Sequence, residues 1–104
     1  MKTNLMTIPN VGRRTMISLM NIGITCVEDL IGVSPEELYK KDCLKKGMQV
    51  DRCQLYLFRM IVYYAENEVR DPEKLKWWYW KDKEYPEKQK IKEKVISLLK
   101  KFFY

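Results

Sequence analysis

The chain of 104 residues carries a net charge of +6, and its length fits one small domain. A chain of this size buries about two-thirds of its unfolded surface, which is enough for a single core. Hydrophobic residues make up 46%, charged residues 33% and aromatic residues 12%, which excludes a disordered tail. The absence of histidine excludes Ser–His and Cys–His catalysis and the commonest metal ligand. We therefore expect a binding protein with no enzymatic activity, no metal and no cofactor.

The cysteines point to a reducing compartment. Cys26, Cys43 and Cys53 are odd in number, far apart and without a Cys-x-x-Cys pair, which argues against a zinc site. We expect all three to be small buried hydrophobic residues of a cytoplasmic protein. No signal peptide or membrane span is predicted, since the most apolar stretch, 55–65, is short and contains Arg59.

The first predicted helix follows a break in the chain at residues 8–12, where Pro9 and Gly12 stand. Apolar residues at helical spacing predict a helix from Arg13 to Asn21. Gly23 stands at the position where a glycine commonly ends a helix. Because the preceding segment is short, this helix begins close to the N-terminus of the fold.

Two capping patterns predict the next two helices. Thr25-Cys26-Val27-Glu28 fits a capping box and predicts a short helix that stops at Gly32. Ser34-Pro35-Glu36-Glu37 fits a second one, with proline at the first helical position, and predicts a helix through Leu38. Strand signals are absent, so the fold class is all-α.

Longer elements are predicted in the C-terminal half. Asp51 caps a helix that runs to about Ala65, and Asp71-Pro72-Glu73 begins a short element that leads into the aromatic run 77–80. Pro86 opens a last helix with one apolar stripe. No linker divides the chain, so residues 1–104 form one domain. Its parts are an N-terminal motif (1–44), a long helix with a Trp-rich segment (50–83) and a C-terminal helix (86–104).

The turn at residues 10–12 is the candidate binding site. A tight turn before a helix points backbone N–H groups outward at the positive end of the helix dipole, which favours an anion. A phosphate oxygen could approach Gly12 closely, and the first-turn arginines, Arg13 and Arg14, could add charged hydrogen bonds. The predicted phosphate-binding residues are Asn10, Val11, Gly12, Arg13, Arg14 and Thr15.

The segment 5–30, with Ile8-Pro9-Asn10-Val11-Gly12 at its centre, resembles a helix-hairpin-helix motif of the SAM-like kind. Together with Val50-Asp51-Arg52-Cys53 and Trp77-Trp78-Tyr79-Trp80-Lys81, it resembles the bacterial pathogenicity-locus family, some members of which carry the label mitomycin resistance protein. The resemblance covers about residues 5 to 83 and implies binding to the DNA backbone without base specificity. Asn10 departs from the family pattern, which usually has glycine there, and it is the non-glycine residue most tolerant of positive φ.

Two further groups of residues have more than one interpretation. Around Asp51, Arg52, Cys53 and Arg59, a buried cysteine and a structural arginine–carboxylate network are favoured over a nucleophilic site. Core packing is the default for the tryptophan cluster, and a protein-docking patch or base stacking on single strands are the alternatives. The candidate patch comprises Trp77, Trp78 and Trp80.

Two functional hypotheses follow from these observations. The first is non-sequence-specific binding of the DNA backbone through the hairpin, linked by resemblance to DNA repair or damage tolerance. The second is a protein-interaction adaptor with a purely structural hairpin and an aromatic docking patch for an unidentified protein partner. Residues 1–70 carry a net charge of only +2, which favours the second, whereas the hairpin favours the first.

Overall fold

The computed structural model describes residues 2–86, and every regular element in this part of the chain is helical. The described residues contain three α-helices: α1 (Arg13–Asn21), α2 (Pro35–Lys46) and α3 (Arg52–Glu66). Short 3-10 turns occupy Leu5–Thr7, Val27–Leu30, Pro72–Leu75 and Trp77–Trp80. The predicted all-α class is confirmed for the described residues. The C-terminal helix predicted over 86–104 lies outside them, apart from Pro86.

The long helix α3 is the centre of the fold. It packs against α2, against the 3-10 turn Val27–Leu30 and against the Trp77–Trp80 turn. Six consecutive residues of α3, 58–63, are buried, as is Leu55. A helix buried around its whole circumference belongs to a core. The middle of α3 is therefore enclosed by its neighbours.

The ends of α1 and the starts of α2 and α3 follow local signals. The Gly23 N–H donates to the Met20 carbonyl and the Ile24 N–H to the Leu19 carbonyl, which is a Schellman ending with Gly23 at φ +94°. Ser34 and Asp51 accept hydrogen bonds from the helices that they cap. The predicted glycine ending of α1 and the predicted caps of α2 and α3 are confirmed. Helix α2 ends at Lys46, two residues beyond the predicted boundary of the N-terminal motif at residue 44.

The capping box predicted at 25–28 is wrong. Cys26 precedes a single 3-10 turn and makes no capping hydrogen bond. Thr25 instead donates twice to Asp29, through its N–H and its hydroxyl, both at 2.9 Å. Glu28 accepts from the N–H and the hydroxyl of Thr3, both at 2.6 Å. The capping box would require the Glu28 carboxylate to accept from the Thr25 N–H. That carboxylate is instead bonded to Thr3 in the N-terminal segment.

The cysteines do not share one environment. Cys26 is buried and Cys43 is half-buried, but Cys53 is exposed in the first turn of α3. The expectation that Cys53 is a buried hydrophobic residue is wrong, because this turn projects beyond the packed middle of the helix. The structural arginine–carboxylate network is confirmed at Arg59, which is buried and donates to Glu36 at 3.3 Å.

Candidate functional site

The hairpin is a four-residue turn from Ile8 to Val11. The Val11 N–H donates to the Ile8 carbonyl at 3.2 Å, Pro9 occupies the second position, and Asn10 occupies the third with φ +68°. Proline followed by a residue with positive φ is the signature of a type II turn. The Asn10 amide nitrogen also donates to the Leu75 carbonyl at 3.1 Å. Asn10 therefore adopts the backbone conformation that glycine usually supplies and ties the hairpin to the segment that precedes Trp77.

Helix α1 starts differently from the other two α-helices. Its N-cap is Gly12, which offers no capping side chain; its first turn contains no acidic residue, and in this respect it is like α3. By contrast, Ser34 caps α2, Asp51 caps α3, and α2 carries two glutamates in its first turn. A Cβ placed on Gly12 would meet no atom within 4 Å, and its φ of −98° suits any residue. The glycine is thus not required by packing or by backbone conformation.

The residues of the predicted phosphate site divide into accessible and inaccessible groups. Gly12, Arg13 and Arg14 are exposed and Thr15 is half-exposed. Within residues 2–86, no group accepts from the backbone N–H of residues 12–15, and neither arginine pairs with a carboxylate. The Val11 side chain is buried and its N–H is used in the turn. Of the predicted turn donors, the Val11 N–H is therefore occupied, and the open donors at the helix start are those of residues 12–15.

An open groove of about 820 Å³ lies beside the hairpin, between the start of α1, the end of α2 and the start of α3. Its rim carries the basic residues Arg14 and Lys46, and one wall is formed by Trp77. The remaining lining residues are Asn10, Thr15, Ser18, Met48, Val50, Asp51, Cys53, Gln54 and Leu57.

A buried carboxylate organises the polar part of this groove. Asp42 is only 1% exposed and accepts from Lys46 at 3.1 Å and from Gln54 at 3.3 Å. The Lys46 ammonium also donates to Ser18 on α1 at 3.2 Å. Buried charges are stable when they are paired and hydrogen-bonded. Asp42 thus fixes the Lys46 and Gln54 side chains and links the three α-helices around the groove.

Asp51 and Cys53 form a local pair at the start of α3. The Cys53 N–H donates to the Asp51 carboxylate at 2.8 Å, which lowers the pKa of Asp51. The hydrogen bond between the two side chains raises the pKa of the Cys53 thiol. Since the thiolate is the reactive form, this environment disfavours nucleophilic chemistry at neutral pH. No group of three or more metal-ligating side chains occurs in the part of the chain that the structure describes.

The three tryptophans of the candidate docking patch lie in three different environments. Trp80 is completely buried, packs against Tyr63 with the rings tilted at 44° and their centroids 5.6 Å apart, and donates its indole N–H to the Lys74 carbonyl at 2.9 Å. Trp77 is half-buried and lines the groove, whereas Trp78 is 54% exposed and contacts Trp77 edge to face. The structure therefore does not bring them together as one surface.

Sequence reasoning did not find the groove itself. Asp42 and Lys46 are four residues apart on α2, a spacing that places them on the same helix face. Gln54 on α3 and Ser18 on α1 join this pair only because the helices pack together. The ion pair is therefore readable from the sequence, whereas its burial and its place in a groove depend on tertiary packing.

Residues 2–86 thus form a small helical fold in which an uncapped helix start adjoins a groove of mixed polar and apolar lining. The chain belongs to the pathogenicity locus family (Cdd1), whose family model matches residues 1–85. No curated protein and no solved structure matches the chain. Among the described residues, no helix is long and apolar enough to span a membrane.

Proposed function

We propose that this protein binds the sugar–phosphate backbone of DNA, without base specificity, through the start of α1. In this proposal the segment 5–30 acts as a helix-hairpin-helix motif whose first helix is reduced to the 3-10 turn Leu5–Thr7. The observation that carries it is the uncapped N-terminus of α1, with four backbone N–H groups left open beside two exposed arginines. Exposed donors at a helix N-terminus favour phosphate.

The charge distribution supports an anionic ligand at this place. An acidic residue stabilises the first turn of a helix, whereas an arginine there is unfavourable to the helix dipole. Helix α1 has Arg13 and Arg14 in that turn and no acidic residue, while α2 has the opposite arrangement. A bound phosphate would reverse this local cost, since it neutralises both arginines and accepts from the open N–H groups.

The position of Asn10 is compatible with this contact. Its side chain is directed to the Leu75 carbonyl and not into the space in front of Gly12. The substitution of asparagine for the usual glycine therefore leaves the approach to Gly12 open, as the free space around its Cα indicates.

Salt dependence tests the proposal. With about three phosphates neutralised, log K should fall with log[salt] at a slope near −3, and the affinity should be micromolar or weaker. The double variant Arg13→Ala/Arg14→Ala should bind more weakly and with a shallower slope. A matched control is Lys40→Ala/Lys41→Ala, which removes the same charge from the exposed surface of α2. Equal slopes for wild type and the arginine variant would exclude these residues as phosphate ligands.

The adaptor function is the second candidate, and one observation favours it. The Asn10–Leu75 hydrogen bond gives the hairpin a structural purpose, while Trp78 remains exposed. This alternative predicts no DNA binding at low salt and a protein partner that is lost on Trp78→Ala. Trp80 is excluded from any such patch in this conformation because its side chain is completely buried.

A further inference from the structure

The groove beside the hairpin has the size and lining of a site for a small planar ligand. Its volume of about 820 Å³ lies within the range of about 300–1,000 Å³ that is usual for ligand pockets. Such sites combine an apolar or aromatic wall with a few fixed polar groups. Here Trp77 supplies the aromatic wall, and Lys46 and Gln54 supply polar groups that Asp42 holds in place.

The groove is continuous with the proposed phosphate contact. Arg14 and Thr15 belong to the first turn of α1 and also line the groove. A strand whose phosphate sits at this turn would therefore place the adjoining nucleotide at the mouth of the groove. Among the lining residues, Arg14 pairs with no carboxylate in the described part of the chain and complements the charge of such a strand, whereas the Lys46 charge is balanced by Asp42.

We propose that this groove accepts an unpaired DNA base, which stacks on Trp77 while its phosphate lies at the start of α1. The proposal rests on the proposed function and specifies the form of DNA preferred: a duplex with an overhang or a single-nucleotide bulge. A paired base shows only its edge to a protein, whereas an unpaired base offers its face to an aromatic side chain.

The connection between hairpin and groove also has a structural basis. The Asn10 side chain bonds to the Leu75 carbonyl, two residues before Trp77. This hydrogen bond holds the aromatic wall at a fixed position relative to the turn that carries the phosphate donors. Asn10 is therefore a positioning residue for Trp77, a role that glycine at this position does not supply.

The binding experiment compares two DNA probes at low salt by fluorescence anisotropy. One is a blunt duplex, and the other is the same duplex with a single-nucleotide 3′ overhang or an internal bulge. Stacking of one base changes affinity by between about 5-fold and 150-fold, so wild type should bind the unpaired probe at least 5-fold more tightly. Trp77→Ala should remove this preference and leave blunt-duplex affinity within about 2-fold. The matched control Trp78→Ala, whose ring lies outside the groove, should keep it.

A second measurement does not depend on the stability of Trp77→Ala. In wild-type protein the Trp77 indole N–H resonance should shift with the unpaired probe and not with the blunt duplex, while the buried Trp80 resonance stays in place. Trp77→Phe should retain most of the preference because it keeps an aromatic ring. Equal affinity for both probes, with no selective shift of Trp77, would overturn the groove proposal and leave backbone binding intact. Failure to bind either probe would overturn both.

Discussion

The substitution Gly12→Asp is expected to stabilise the fold and at the same time to weaken DNA binding. Gly12 already has the extended backbone of an N-cap, with φ −98° and ψ −172°, and a Cβ there meets no atom within 4 Å. Aspartate would therefore supply the capping acceptor that α1 lacks, without strain. Its charge would also complement the positive end of the helix dipole.

The size of the stabilisation follows from three small contributions. Replacing a glycine N-cap by aspartate is worth a few tenths of a kcal/mol. Removing the backbone freedom of glycine in the unfolded chain adds about 0.4–1 kcal/mol. A carboxylate at the helix start adds about 0.3–1 kcal/mol. The free energy of unfolding should therefore rise by about 1–2 kcal/mol. In a domain of this size, each added kcal/mol raises Tm by about 4–8 °C.

DNA binding should change in the opposite direction. The new carboxylate would occupy the place of a phosphate at the open N–H groups and repel the DNA, so affinity should fall at least about tenfold at low salt. Ser34→Asp is the matched control, because it places the same charge at the N-cap of α2. That variant should bind DNA nearly as wild type does.

Urea unfolding followed by circular dichroism and anisotropy with a blunt duplex measure the two effects. A rise in stability with unchanged DNA affinity would refute the start of α1 as the phosphate site. A loss of stability would refute the interpretation of Gly12 as an unstrained, uncapped N-cap. Equal losses of DNA affinity in Gly12→Asp and Ser34→Asp would show that the loss comes from net charge and not from the position of the carboxylate.

Three further predictions concern the fold and the groove. Asn10→Ala should lower the free energy of unfolding in urea by about 2–3 kcal/mol, because alanine is strained in the left-handed conformation and the bond to the Leu75 carbonyl is lost. Asn10→Gly loses only the hydrogen bond and should cost about 0.5–1.5 kcal/mol. Equal losses for the two variants would contradict a role for the positive φ. Arg59→Ala should cost about 1–3 kcal/mol because it leaves the buried Trp80 carbonyl without its donor and the half-exposed Glu36 carboxylate without its partner. An unchanged free energy of unfolding would argue against this network. Maleimide labelling of Cys53 at pH 8 should be slow, because its raised pKa keeps the thiolate fraction low. Asp51→Asn should lower the pKa of Cys53 and accelerate the labelling. An unchanged labelling rate would exclude the Asp51 carboxylate as the cause of the raised pKa.

Net charge does not mark the proposed site. Residues 2–86 carry 14 lysines and arginines against 12 acidic residues, a net charge of +2, and the other +4 of the chain lies in residues 87–104. The anion binding proposed for the start of α1 rests on oriented N–H groups and two arginines, which a charge count over the whole chain does not reveal.

Local signals predicted the helices well where they involve neighbouring residues. The bounds of α1 agree with the prediction, and Ser34 and Asp51 cap the helices that they were expected to cap. The prediction failed at Thr25, where the partner is Asp29 because Glu28 contacts Thr3, a residue 25 positions away. Sequence spacing cannot anticipate a carboxylate that has a stronger partner elsewhere in the fold.

The candidate site was predictable in part for the same reason. The turn at Asn10 and the open start at Gly12 are properties of a short segment, so the sequence indicates them directly. The different environments of Trp77, Trp78 and Trp80 depend on how a four-residue turn lies on α3. The three tryptophans are chemically identical, and only their contacts in the fold decide which one is buried.

By itself, the sequence determined the helical class, most helix ends in the N-terminal half and the position of the turn at Asn10, because caps, prolines and glycines act within a few residues. Only the tertiary structure decided that Asn10 reaches Leu75, that Asp42 is buried beneath Lys46 and Gln54, and that Trp77 faces a groove. These contacts join residues from separate elements, and their formation depends on the packing of α2 against α3 and of α1 against α2. The physical reason is that short-range hydrogen bonds are fixed by spacing, whereas a groove exists only where several helices meet.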